Sequence, residues 1–529
     1  MKSLHLSDRQ FHVLFGMLIA LQIAAAFFFC IQKQGFHYDE YYSYYSSNVT
    51  YGLVPSDGEW KNTDEIRSEF MVEKGNGFQY GRVIQMQTYD VHPPFYYLIL
   101  HTICSLTPDT FSKWQGLSIN LVFYLLSIIL LSKIAGAITN NNRMIQIASC
   151  LLYGFAPAVI SGVVFIRMYM MLTFFCKLFF YLHCRMLRKE RMTAGFYIQV
   201  LLYTFLGFMT HYYFLVFLFF ISAFIFLWAL SQKKIKSAFA YAGSVAVGGI
   251  LGIILYPACL SHIFSGYRGT EAKDAFFTLS NFGDRISFFG GLINDDLFGG
   301  LMYFLLLLLI LLMITVQFQK KRLFEGTKTE HLLLLFTVVG YFLIVAKTAL
   351  MNAEEAIRYE MPIYGLIILL SLLALHSLFK KLQIIPYKGV VIVCTLLILM
   401  AQIAGLCGNR VCFLFKENKD NVLWAEEQKD TPVVYLYNAT NIWMIWDDSE
   451  ELMVYPEIYF LKMDEEETGK ATEKILNDKK LQQADTVYVY AMRGDNTDSY
   501  LKLLQRNLSG MTKCTKIGER GYCDIYQLQ

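Results

Sequence analysis

Over most of this chain apolar residues do not alternate with polar ones; they come in long runs. Runs of about 20 mostly apolar residues, the length a helix needs to cross a bilayer, lie near 11–31, 115–137, 145–165, 167–184, 195–211, 213–230, 238–257, 301–318, 331–350, 361–379 and 389–406. They predict an all-α polytopic membrane protein with about eleven transmembrane helices. Residues 94–106, PFYYLILHTICSL, are also apolar but too short to span without thinning the bilayer, which predicts an interfacial or re-entrant helix. Two stretches break the pattern. Residues 32–93 are polar, acidic and Tyr-rich, far longer than an ordinary helix connection, with a helical stretch near 62–73. After residue 406 the strand-like runs PVVYLYN (432–438), TVYVYAM (486–492) and YCDIYQL (522–528) flank a helical EETGKATEKILNDKKLQQA. The pattern therefore predicts a transmembrane module over 1–406, carrying a loop with juxtamembrane helices at 32–114, and a small α/β domain over 407–529.

Composition agrees: of 529 residues 55% are hydrophobic, 16% aromatic and 17% charged, with a mean hydropathy of +0.39. A net charge of +3 without a long like-charge run or a tandem basic–aromatic array gives no footprint for nucleic acid. Charge matters by position instead. Lys2 and Arg9, Lys133 and Arg143, the Arg185/Arg188/Lys189/Arg191 cluster, Lys233/Lys234/Lys236, Lys320/Lys321/Arg322 and Lys380/Lys381/Lys388 fall on one side if residues 94–106 do not cross. The positive-inside rule makes that side cytoplasmic. The first run ends in AFFFC, without a small-residue cleavage site, and reads as an anchor. The N-terminus is then cytoplasmic, and the 32–114 loop and the tail are external. Among the 11 cysteines, Cys514 and Cys523 flank a hairpin-like TKIGERGY and are placed for a disulfide; Cys407–Cys412 is a weaker pair.

Four short stretches share the external boundary in this topology: HYDEYY (37–42), YDVHPPFYY (89–97), VVFIRMYMM (163–171) and AIRYEMPIYG (356–365), with MTHYYF (209–214) as a fifth. In this order they resemble the GT-C class of polyprenyl-phosphate-dependent glycosyltransferases. That class includes protein O-mannosyltransferases, lipid A aminoarabinose transferases and RgtA/B/C/D-like bacterial proteins. Asp39-Glu40 resembles the acidic pair after the first span, Asp90 to Tyr97 the D-x-H-P-P-L-x-Y element, and Arg358 to Pro362 the R-Y-x-x-P element. Two departures are visible: Phe165-Ile166 replaces Gln/Glu-Ala before Arg-Met-Tyr, and Phe95 replaces Leu after Pro-Pro. The resemblance implies an inverting hexosyl- or pentosyltransferase of the plasma membrane. It would take a polyprenyl-phosphate-linked sugar donor and a glycan, lipid or protein acceptor, for cell-envelope synthesis.

The chemistry needs a base for the acceptor hydroxyl and cations for the departing phosphate. Asp39 is the candidate base with Glu40 beside it, against the alternative of a solvated loop start. Asp90 and His92 are candidates to bind substrate or orient the phosphate, against a plain helix-start signal. Arg167 and Arg358, with Tyr169 and Tyr359, suit phosphate because guanidinium offers forked donors; interfacial snorkelling is the alternative. His211 is a candidate for substrate binding or a boundary histidine. No cofactor is implied beyond a divalent metal, for which Glu40 and His211 are weak candidate ligands. The rival class, a transporter or flippase of an anionic lipid, would need ionisable residues within several spans. Only Lys177 and Lys347 stand out there.

Overall fold

The computed structural model of the chain describes residues 7–48, 57–323, 325–383, 387–464 and 468–529. Lys2 and the first two residues of the expected tail helix lie outside them. The chain divides into two compact units. One comprises Met1–Ile31, Ile84–Ile99 and Gly116–Cys412; the other comprises Gln32–Val83, Leu100–Gln115 and Phe413–Gln529.

The first unit is helical, and its helices make the chain a multi-pass membrane protein. Eight are long and apolar enough to cross a bilayer: Asp8–Gln32, Lys113–Thr139, Tyr169–Lys189, Tyr213–Ser231, Ile235–Leu255, Thr329–Thr348, Glu355–Leu382 and Lys388–Cys407. Two bent pairs, Arg143–Gly154 with Pro157–Val164 (56°) and Phe282–Leu297 with Met302–Phe318 (100°), raise the number to ten among the described residues. With the shorter apolar helix Ala194–Phe208, each of the eleven expected runs is a helix or a bent pair of helices. The run at 195–211 folds as Ala194–Phe208, only 15 residues, roughly 22 Å against a hydrocarbon core of about 30 Å. The short apolar segment forms the 12-residue helix Phe95–Leu106.

Both bends have local causes. Pro157 carries no N–H for the carbonyl one turn back, and the carbonyls exposed there find side-chain donors. Gln22 Nε2 donates to Cys150 O (2.8 Å), Gln402 Nε2 to Leu152 O (2.9 Å) and Tyr124 Oη to Gly154 O (2.7 Å). In a bilayer such groups must be satisfied by protein. At the second bend Gly299 and Gly300 adopt φ of +61° and +86°, a region open to glycine. A Cβ on Gly299 would also lie 2.6 Å from Ala401 Cβ.

The second unit is built on a six-stranded sheet: β1 (Glu59–Asn62), β2 (Val433–Tyr437), β3 (Glu457–Lys462), β4 (Val487–Met492), β5 (Cys514–Glu519) and β6 (Cys523–Leu528), in the order β1-β3-β2-β4-β6-β5. The three central strands run parallel, and β1, β6 and β5 pair antiparallel. Every residue of β2 and β4 is buried. That is why they read as continuous apolar runs rather than alternating ones. The 32–114 segment supplies β1, a contribution its composition does not signal. The hairpin at 514–528 forms, but the expected disulfide does not. The register sets Cys514 opposite Leu528 and Cys523 opposite Met492, so the sulfurs start at opposite ends of the ribbon. Cys514 and Cys523 are free thiols, as are Cys407 and Cys412.

Candidate active site

In the helical unit, Asp90 and His92 lie in the turn before the Phe95–Leu106 helix, which opens directly after Pro93-Pro94. Proline fixes φ and lacks the N–H that a first helical turn would leave unpaired, so the pair sets the helix start. Tyr97, one turn in, donates its hydroxyl to Asp90 Oδ2 (3.2 Å) and accepts from Arg167 Nη1 (3.1 Å). His92 Nδ1 lies 3.2 Å from the same Asp90 oxygen and 3.4 Å from Arg167 Nη2. Burial would raise the Asp90 pKa, but the neighbouring His92, through charge and hydrogen bond, and the Arg167 guanidinium hold it at about 2. Asp90 is therefore ionised throughout the physiological range.

Arg167 occupies a break between two helices, Pro157–Val164 and Tyr169–Lys189. Asn120 holds this turn open by donating Nδ2 to Val163 O (3.0 Å) and Phe165 O (2.6 Å). Gly116 lets the neighbouring helix approach: a Cβ there would stand 2.0 Å from Ile166 Cγ2. Arg167 is only 3% exposed, which sets it apart from a snorkelling side chain.

Arg358 lies in the last turn of a short 3-10 helix, Ala353–Glu360, and is 4% exposed. Its guanidinium carbon lies over the rings of Phe165, Tyr169 and Tyr359, at 5.3, 5.8 and 5.2 Å from their centroids. Phe165, where the family pattern expects a polar residue, is thus part of the guanidinium's stacking surface. Tyr169 also meets Tyr359 edge-on and lies against His211 (5.3 Å), which in turn lies 5.5 Å from His92. Burial, then His92, Arg167 and Arg358, push the His211 pKa well below its ordinary value. A neutral imidazole there accepts the Tyr213 N–H at Nδ1 (3.0 Å). Asp90, His92, Arg167, Tyr169, His211, Arg358 and Tyr359 therefore form one connected cluster, with the two arginines and His211 buried and Asp90 and His92 at its partly exposed edge. Two guanidinium groups, whose forked donors match the oxygens of a phosphate, are gathered in it with the ionised aspartate.

Asp39 and Glu40 belong to the sheet unit, in the first turn of the helix Tyr38–Asn48. Acidic groups are favoured at that end by the helix dipole. The two carboxylates have different surroundings. Glu40 is fully buried: its Oε2 pairs with Lys33 Nζ (2.8 Å) and accepts the His37 N–H (2.6 Å). Lys33 also donates to Phe413 O (2.7 Å). Asp39 keeps 19% of its side chain exposed and stands 3.9 Å from His37 Nδ1. The arrangement pins Glu40, whereas Asp39 is partly exposed.

Tyr97, Asn120 and Lys33 were not singled out by sequence. Tyr97 closes a quoted motif, whereas an asparagine within an apolar helix and a lysine after one carry no distinctive signal. Glu360 is another: it is 1% exposed, and neither carboxylate oxygen has a hydrogen-bond partner among the described residues. The two mid-span lysines are tied locally. Lys177 Nζ lies 3.4 Å from the centre of the Tyr153 ring, and Lys347 donates to Thr278 O and to Asn281 Oδ1. As for a metal, Glu40 already holds a cation in Lys33. Among the described residues no three His, Cys, Asp or Glu side chains group closely enough to hold an ion.

No family model and no curated protein matches the chain. Solved structures do. ArnT from Cupriavidus metallidurans bound to undecaprenyl phosphate is similar over 98% of this chain and 98% of its own, at 10% identity and a TM-score of 0.53. The same protein in the apo state is similar over 97% of each chain, at 11% identity and a TM-score of 0.51. An oligosaccharyltransferase of Archaeoglobus fulgidus in complex with zinc and sulfate is 10% identical over 96% of this chain and 72% of its own, with a TM-score of 0.45. The two ArnT likenesses span almost the whole chain and establish its fold as GT-C, as the order of the motifs implied.

Proposed function

We propose that the protein transfers a sugar from a polyprenyl-phosphate donor to an acceptor hydroxyl, at the external face of the plasma membrane. The observation that carries the reading is the cluster in which the buried Arg167 and Arg358 are held by aromatic rings, Tyr97 and His92. Two forked cations sequestered from water suit a lipid phosphate. The fold is that of a protein whose structure holds undecaprenyl phosphate. The basic clusters support the external face: with eleven crossings and those clusters cytoplasmic, the N-terminus lies inside and the sheet unit outside.

In this reading the acceptor oxygen bonds to the anomeric carbon as the bond from that carbon to the phosphate oxygen breaks, and the configuration inverts. The bonding electrons leave with polyprenyl phosphate, whose growing charge Arg167 and Arg358 stabilise. The acceptor proton passes to Asp39. Glu40, pinned by Lys33, sets the helix turn that presents Asp39. Asp90 is poorly suited to the base role because a carboxyl held at about 2 has little affinity for a proton.

The test is binding of undecaprenyl phosphate to the purified full-length protein. Arg358→Gln and Arg167→Gln should each weaken it at least tenfold, a charged hydrogen bond being worth about 1.5–3 kcal/mol. Arg358→Lys should recover only part, since lysine has neither the fork nor the planar face. Wild-type affinity in both glutamine variants would refute the phosphate assignment.

A further inference from the structure

Beside Asp90, Tyr212 of the MTHYYF stretch meets two residues outside the motif stretches, His262 and Thr88. Tyr212 Oη lies 2.9 Å from His262 Nδ1, and His262 Nε2 lies 3.3 Å from Thr88 O, two residues before Asp90. This fixes the imidazole: Nδ1 accepts from the tyrosine and Nε2–H donates to the carbonyl. His262, 6% exposed, thereby ties the helix Ala258–Phe264 to the Asp90 turn.

Tyr256 stands over this pair. Its ring lies 5.8 Å from that of His262, and it ends the apolar helix Ile235–Leu255 as its C-cap residue. The side chain is 1% exposed, yet its hydroxyl has no hydrogen-bond partner among the described residues. Buried tyrosine hydroxyls are ordinarily paired, and leaving one unpaired costs about 1–3 kcal/mol. Packed around it are apolar Phe208, Met209 and Cys259. The negative charge of Asp90 reaches both hydroxyls: after burial, it is among the causes that push Tyr256 and Tyr212 above the ordinary tyrosine value.

We propose that Tyr256, Tyr212 and His262, together with Asp90, form the subsite for the sugar ring of the lipid-linked donor, with Tyr256 donating to a ring hydroxyl. A pyranose or furanose has an apolar C–H face and a rim of hydroxyls. The apolar wall meets the first, and the free phenol and the ionised aspartate meet the second. The inference rests on the donor reading above and adds to it the residues that would distinguish a sugar-bearing lipid from the bare phosphate.

Binding to the full-length protein separates the two claims. The probes are undecaprenyl phosphate alone and a panel of undecaprenyl-phosphate-linked hexoses and pentoses. The wild type should bind one sugar-bearing lipid more tightly than undecaprenyl phosphate. Tyr256→Phe should weaken that lipid five- to tenfold and leave undecaprenyl phosphate within twofold, which also shows that the variant is folded. His262→Ala should reduce the same preference, with partial rescue by His262→Gln. Equal affinity of Tyr256→Phe for the preferred lipid, equal loss on both probes, or a wild type that prefers no sugar-bearing lipid would each overturn the subsite while the phosphate reading stands. A wild type that binds none of the probes would overturn both.

Discussion

At the scale of single residues, the two adjacent carboxylates at 39 and 40 differ in what surrounds them. An acceptor hydroxyl is a weak nucleophile until its proton is taken, and a positioned base contributes about a hundred- to ten-thousand-fold in rate. Asp39→Asn keeps the side chain's shape and removes the proton acceptor. Turnover of a labelled polyprenyl-phosphate sugar should therefore fall by that factor, with binding of undecaprenyl phosphate retained. Glu40→Gln should act differently. It leaves Lys33 buried opposite a neutral amide, and an unpaired buried charge is strongly destabilising. Its expected effect is a lower yield of folded protein, with the folded fraction active. Near wild-type turnover by Asp39→Asn would remove it as the base. Asp90 could not simply take its place, because His92 and Arg167 hold its proton affinity down.

At the scale of elements, the broken helix at Pro157 shows why an apolar run is not always one span. Gln402 Nε2 serves two carbonyls, Leu152 O (2.9 Å) and Leu297 O (2.7 Å), one at each bend. Gln402→Leu preserves volume and leaves both acceptors without that donor. An unsatisfied buried group costs about 1–3 kcal/mol, so the midpoint temperature of the detergent-solubilised protein should fall by several degrees. An unchanged midpoint would mean that other groups serve these carbonyls. The same bends mark the limit of what the sequence makes legible. Eight spans follow from length and hydropathy alone, because a bilayer imposes both. Pro157 and Gly299-Gly300 mark the bends locally, but the carbonyls freed at the first one are satisfied by Gln22, Tyr124 and Gln402 from distant helices, which no local pattern encodes. Likewise β2, β4 and β6 stand out as apolar runs, whereas β1, EWKN, is an edge strand of four half-exposed or exposed residues. For the site, the motifs mark Asp90, His92, Arg167 and Arg358. Tyr97 closes one of those motifs, whereas Asn120 and Tyr256 emerge only from contacts.

At the scale of the whole molecule, the sheet unit has its own pH dependence, set by how its carboxylates are buried. Glu451 is buried against Arg520 (2.6 Å) and Glu40 against Lys33. Glu69, Asp448 and Glu450 are held by hydrogen bonds without an ion pair among the described residues. Glu69 accepts from Trp446 Nε1 (3.1 Å), Asp448 from Tyr435 Oη (2.8 Å) and Cys523 Sγ (3.2 Å), and Glu450 from Phe36 N (2.7 Å). Burial is the largest cause in each and outweighs those bonds, raising Glu69 and Glu450 to about 8 and Asp448 to about 7. In the unfolded chain such groups titrate near about 4. The folded unit therefore holds protons that the unfolded chain has lost. The stability these groups contribute is complete below about pH 4 and is lost as pH rises through about 7 to 8, each group removing about 1.4 kcal/mol per pH unit in that window. All tryptophans except Trp228 belong to this unit, so tryptophan emission follows its unfolding within the full-length protein. The unfolding midpoint should fall between pH 6 and 8.5, and Glu450→Gln, which cannot ionise, should reduce the slope by roughly a third as one of three such groups. A midpoint that stays level or rises over that range would show these carboxylates already ionised in the folded unit, stabilised by groups other than their present hydrogen-bond donors.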